Sequence, residues 1–121
     1  MISEQTKKDC YKALIELKAT LINRSIRLKG EYQKQDHGKD DGDLTMAILA
    51  EKEFLTSQNR IRRQLQDIEF ALSKIQNNTY GICEETYEGI SEERLRTIPW
   101  TRLSLEGAEI REQIRKRRLA Q

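Results

Sequence analysis

The chain has 121 residues, enough for one domain. Lys plus Arg total 22 and Asp plus Glu 20, so the net charge is +2. This near-balance excludes a strongly basic nucleic-acid wrapper and a strongly acidic tail protein. Charged residues are 35% and apolar residues 36% of the chain, with one Pro and six Gly. High mixed charge, Leu/Ile periodicity and few breakers predict long exposed helices rather than a large globular core.

The start, MISEQTKKDC, has no apolar stretch of the secretory kind, and no apolar run approaches ~18 residues. The expectation is a cytoplasmic protein with no membrane span. Cys10 and Cys83, the two cysteines, are then free thiols in a reducing compartment.

The first predicted element is a helix from about Glu4 to Tyr32. Cys10, Leu14, Leu17, Leu21 and Leu28 fall at spacings of 4, 3, 4 and 7, a heptad seam with Arg24 at a vacant seam position. Ile15, Ile22 and Ile26 widen the stripe. A polar turn follows over Gln33 to Asp43, QKQDHGKDDGD, in which Asp41 or Asp43 is a candidate cap for the next helix. A second long helix is predicted from about Leu44 to Ile75. Leu44, Ile48 and Leu55 begin one seam, and Ile61, Leu65, Ile68, Leu72 and Ile75 continue in another register, which a stutter near Gln58 reconciles. Two such helices joined by a short turn predict an antiparallel coiled-coil hairpin over residues 1–76, its tip at about 33–44. A longer bundle completed by a partner chain is the alternative.

Asn77-Asn78-Thr79-Tyr80-Gly81 ends the second helix. Residues 77–107 predict a small head, packed by Tyr80, Tyr87, Ile90, Leu95, Trp100 and Leu103. A last helix over 108–121 carries Ile110, Ile114 and Leu119 on one side, with Arg111, Arg115, Lys116, Arg117 and Arg118. The fold class is therefore all-α.

Signals for catalysis are poor. His37, the sole histidine, lies in the polar turn, where solvent exposure is the ordinary outcome, and there is no Gly-rich phosphate loop or nucleophile elbow. Cys10 lies on a seam and reads as a small core residue. The four aspartates of the turn could approach a cation, but they lack the full calcium-loop pattern, and a solvated turn is the simpler reading. The basic tail could meet phosphate; it equally complements the helix dipole.

Tyr80-Gly81-Ile82-Cys83-Glu84-Glu85-Thr86, then Ile90, Arg94-Leu95, Pro99 and Ser104-Leu105-Glu106-Gly107, resemble the DksA/TraR family of bacterial RNA polymerase regulators. That family reads approximately Y-G-x-C-x-x-C-G-x-x-I, then R-L, P and C-x-x-C. The resemblance covers about Ala71 to Glu112, with a long helical hairpin ahead of it. The family's four thiolates bind zinc; the matching positions here are Cys83, Thr86, Ser104 and Gly107. One thiol, two hydroxyls and a glycine predict a zinc-free, packing-held head.

The resemblance implies a hairpin inserted into the secondary channel of RNA polymerase, with an acidic tip near the active site that alters initiation, notably at ribosomal RNA promoters. Counting back from Cys83 without gaps sets Asp40, Asp43 and Thr45 on the family's D-x-x-D-x-A tip motif, Thr45 replacing the alanine. Family members often act with guanosine tetraphosphate. Arg60 and Arg63 are the helix counterparts for nucleotide or polymerase contact, but Asp67 and Ala108 fall where responsive members carry lysines, which argues against a nucleotide response. The expected function is non-enzymatic regulation of initiation, with no metal, no sequence-specific DNA binding and no membrane partner. The alternatives are a Gre-type transcript-cleavage factor and a structural or adaptor coiled coil.

Overall fold

The computed structural model describes residues 2–35 and 41–120, with the backbone alone described for 41–43. It contains four helices: α1 (Glu4–Lys34), α2 (Asp41–Gln76), α3 (Glu92–Thr97) and α4 (Leu105–Ala120). Among the described residues there is no strand, only an isolated antiparallel bridge between Ile82 and Gly89. The fold is all-α, as expected. The helices reach into both ends of the predicted turn Gln33–Asp43, α1 continuing to Lys34 and α2 beginning at Asp41; the rest of that turn, with His37, lies outside the described residues. The capping role considered for Asp41 and Asp43 lies outside the described side chains.

The chain divides into two compact units, Met1–Glu16 with Asp67–Gln121 (the head unit) and Leu17–Gln66 (the hairpin unit).

In the hairpin unit the helices run antiparallel: Ser25 of α1 meets Gln58 of α2, and Tyr32, further along α1, meets Phe54, earlier on α2. The Ser25 hydroxyl donates to Gln58 Oε1 at 2.6 Å, and Gln58 Nε2 donates to the Ser25 carbonyl at 3.1 Å. Tyr32 and Phe54 stack with ring centroids 4.3 Å apart and planes 6° off parallel.

These pairs correct the predicted seam. Ser25 turns inward and Arg24 is exposed, so the α1 seam steps from Leu21 to Ser25, Leu28 and Tyr32. A four-residue step repeated after Leu17–Leu21 places the stutter on α1. On α2 the inward positions Ala47, Phe54, Gln58, Ile61, Leu65, Ile68, Leu72 and Ile75 keep one heptad register. Leu44, Ile48 and Leu55 are not its seam; each is at least half exposed. The two aromatic rings supply the volume between the helices, so alanine suffices at position 47 and the large aliphatic side chains point to solvent.

In the head unit, Cys10, Leu14, Ile68, Ala71, Tyr80, Cys83, Ile90 and Leu95 are buried. Helix α2 stops in a Schellman arrangement: the Asn78 amide donates to the Ile75 carbonyl at 3.3 Å and the Thr79 amide to Lys74 at 2.9 Å. Asn78 takes φ of 60°, a conformation that asparagine tolerates. The next turn needs Gly81 because its φ of 89° is a conformation that residues with a Cβ rarely adopt; the space itself would admit a Cβ, with Leu95 and Ile2 in ordinary contact at 3.4 and 3.5 Å. Tyr80 donates its hydroxyl to the Pro99 carbonyl at 2.8 Å, and burial, with Cys10 beside it, raises its pKa above the usual value. Helix α3 is too short for periodicity to reveal. Ser91 caps it, accepting from the Arg94 amide at 3.2 Å. Trp100 and Leu103 are half-buried, as befits head-packing residues.

Candidate functional site

Two regions carry the residues singled out by the sequence. In the head unit, Cys83, Thr86, Ser104 and Gly107 come together although 24 positions separate the first from the last. Cys83 is fully buried. The Thr86 amide donates to its Sγ at 3.5 Å. Burial alone would push the Cys83 thiol up; hydrogen bonds from the Ser104 and Thr86 side chains and backbones outweigh it and bring the pKa down to about 6. A Cβ on Gly107 would collide with Cys83 Sγ and stand 3.3 Å from Ser104 Oγ. The sulfur thus occupies the space that a fourth ligand side chain would need.

The other positions have local work. Ser104 Oγ accepts from the Gly107 amide at 3.0 Å, which satisfies an orphan donor in the first turn of α4. Thr86 Oγ1 accepts from the Glu88 amide at 3.3 Å within the finger turn. Around this knuckle, Arg102 forms a two-pronged ion pair with Glu84 at 2.6 and 3.2 Å, and its guanidinium lies 4.1 Å from the centre of the Phe70 ring. Lys74 approaches the same ring and Glu84. Burial pushes the Glu84 carboxyl up, but Arg102, Lys74 and Arg111 outweigh it and hold the pKa below the usual range. Arg111 of α4 pairs with Glu85 at 3.0 Å. Sequence spacing gave no signal for this α2–finger–α4 web.

Tyr87 is a correction. Expected to pack the head, it is 82% exposed, with φ of 60°. Its amide donates to the Cys83 carbonyl at 2.9 Å, closing a tight loop, and the left-handed backbone directs the ring outward. The pattern quoted above has glycine at this position, a signal available in the sequence.

In the hairpin unit, Thr45 is exposed on α2, and Asp43 lies in its first turn. Asp40 lies outside the described residues. Arg60 and Arg63, three residues apart on α2, are both exposed. Leu44, Met46, Ile48, Leu49 and Leu55 are exposed on the same helix.

Residues 78–113 match the prokaryotic dksA/traR C4-type zinc finger. An uncharacterised Aquifex aeolicus protein is 33% identical over 116 residues, covering 89% of this chain and 77% of that protein. The RNA polymerase-binding transcription factor DksA of Caulobacter vibrioides is 36% identical over 97 residues, covering 79% of this chain and 68% of the factor. The matches to three Bacillus subtilis relatives cover 40%, 42% and 45% of those proteins' lengths. The structure of transcription factor DksA2 from Pseudomonas aeruginosa superimposes with a TM-score of 0.82 at 27% identity, covering 95% of this chain and 88% of that one. The chain belongs to the DksA/TraR family.

The residues do not fit the zinc that the family finger is named for. A closed structural site needs four good ligands, usually thiolates or imidazoles. The four positions here offer one thiol, two hydroxyls already engaged with backbone amides, and no side chain at 107. Among the described residues, no group of three or more His, Cys, Asp or Glu is placed to hold a metal ion. No helix among them is long and apolar enough to cross a membrane.

Proposed function

We propose that this chain binds bacterial RNA polymerase and regulates transcription initiation from the secondary channel, entering with its helical hairpin. The observation that carries the reading is the α2 register. Leu44, Met46, Ile48, Leu49 and Leu55 stay exposed on one stretch of helix while alanine and aromatic residues fill the inside. A helix that keeps its aliphatic side chains in water is suited to a partner that covers them. Membership in a family that includes an RNA polymerase-binding factor names the partner. Beside these residues the sequence supplies a tip with Asp36, Asp40, Asp41 and Asp43.

In this reading the tip acts by charge and geometry, with Asp40, Asp43 and Thr45 nearest the polymerase active site, and it breaks no bond itself. The protein works in the cytoplasm. The head keeps its shape without zinc, and Arg60 and Arg63 contact polymerase. Guanosine tetraphosphate does not alter the effect, since Asp67 and Ala108 offer it no cation. Promoter DNA is not read by sequence.

The experiment is binding of the purified, chelator-treated chain to bacterial core RNA polymerase, with a transcript-cleavage factor as competitor. Competition supports the secondary-channel reading, and no binding at micromolar concentration overturns it. Asp43→Asn is then expected to keep binding but lose the effect on initiation. Unchanged regulation would remove the tip from the mechanism, and RNA cleavage in stalled complexes would move the chain to the Gre-type class.

A further inference from the structure

Among the described residues, two with side chains beyond glycine take positive φ, Asn78 and Tyr87, both at 60°. Asn78 is explained by its place: it terminates α2, and asparagine is tolerated there. Tyr87 has no such explanation. A bulky residue in the left-handed region is disfavoured by its own Cβ, and such strain persists where the surroundings enforce it or function uses it. The loop closure fixes the backbone at this position, through the Tyr87 amide on the Cys83 carbonyl and the Cys83 amide on the Glu88 carbonyl. A glycine would satisfy that closure without strain. The tyrosine ring gives the fold little in return, being 82% exposed.

The surface around the ring has a definite character. Residues 84–93 contain five glutamates and no Lys or Arg. Glu84 and Glu85 are engaged by Arg102 and Arg111, and Glu92 accepts from the Ser3 amide at 2.6 Å. Glu88, next to Tyr87, remains exposed. Ile82, on the other side of the same loop, is also exposed, and with Ile2, Gly89 and Ile90 it borders a groove of about 410 Å³. Arg102 and Arg111 balance Glu84 and Glu85, which leaves Glu88 as an exposed carboxylate beside the ring. This pair attracts a protein surface bearing Arg or Lys, whose cation can lie over a tyrosine face while a carboxylate holds its edge.

We propose that Tyr87 is a docking residue of the finger turn, seated against a cationic, partly apolar patch of the polymerase with Glu88 and Ile82 beside it. The inference rests on the reading of function above and adds to the hairpin a second, separate point of contact. Aromatic side chains dominate binding energy in many interfaces, so loss of this ring is expected to weaken binding about tenfold or more.

The test compares the full-length wild type, Tyr87→Gly and Tyr87→Phe for Tm and for affinity to bacterial core RNA polymerase at two salt concentrations. Expected are an equal or higher Tm for Tyr87→Gly, at least about tenfold weaker binding, and near wild-type binding for Tyr87→Phe, which keeps the ring. Glu88→Gln should weaken binding mainly at low salt. If wild type and Tyr87→Gly bind polymerase alike, the inference falls and the reading of function stands. A lowered Tm in Tyr87→Gly also overturns it, since the ring would then serve the fold. If the wild type itself does not bind, the reading of function and this inference fall together.

Discussion

The head unit and the hairpin unit are built from the same two long helices, yet they divide their side chains differently. In residues 2–16 and 67–120, large side chains such as Leu14, Ile68 and Leu95 are almost wholly buried, and ion pairs from Lys74 and Arg111 tie the finger to α2 and α4. Among the described residues of 17–66, Leu21 and Ile61 are the buried apolar side chains, while Leu44, Met46, Ile48 and Leu55 face water. The close packing is concentrated in the head unit, while both units keep exposed large side chains, Ile82 and Tyr87 among those of the head.

The sharpest test is one deletion made in both units. Leu14→Ala should destabilise the chain by about 3 kcal/mol in denaturant unfolding, because a fully buried leucine leaves a cavity. Leu55→Ala should stay within about 0.5 kcal/mol. Equal effects would break the comparison. Next in size, Gly107→Ala should lose about 2 kcal/mol by forcing its methyl onto Cys83 Sγ. Adding Cys83→Ala should recover part of that loss, and strict additivity of the two changes would show that they do not meet.

The knuckle thiol supplies a pH signature confined to the head. Its folded pKa is lowered to about 6 from an unfolded value near 9. Between these values the unfolded chain holds a proton that the folded chain has released, so stability rises with pH across the window and is lost as pH falls through the folded pKa. The contribution is on the order of 1 kcal/mol at pH 7. Wild type should therefore gain Tm from pH 6 to 9 relative to Cys83→Ser, and parallel profiles would refute the assignment.

A smaller effect, about 1 kcal/mol, is expected for Ser25→Ala, which removes the hydroxyl bonded to Gln58. Its readout is urea unfolding, and no change would mean that the pair is replaced by water without loss. Smallest is Glu112→Gln: its pair with Arg115 is exposed on both sides and should leave Tm unmoved at physiological salt.

Much of this was legible in the sequence. Unbroken apolar spacing places two long helices to within a few residues, and the resemblance to the family puts Cys83, Thr86, Ser104 and Gly107 at one site. The failures have physical causes. The spacing of Leu44, Ile48 and Leu55 suggests a seam, but the register follows Ile61 backwards through Gln58 to Phe54. A glutamine in the seam was invisible without its partner, Ser25. Arg24 and Ser25 differ by one position, and a repeated four-residue step decides between them. Helix α3 is set by a cap and by packing rather than by periodicity. The outward Tyr87 followed from a backbone angle, which a reading of aromatic residues as core does not register.

The ties between α1 and the finger bear on how the chain is born. Cys10 Sγ donates to the Leu95 carbonyl, the Ser3 amide to Glu92, and Arg96 to Thr6, across 85, 89 and 90 positions. On a ribosome making roughly 5 to 20 residues per second, the first turns of α1 wait on the order of ten seconds for these partners. The contacts of the hairpin unit lie far closer in sequence, with 33 positions between Ser25 and Gln58. The hairpin unit can therefore assemble during synthesis, whereas the head unit is completed last.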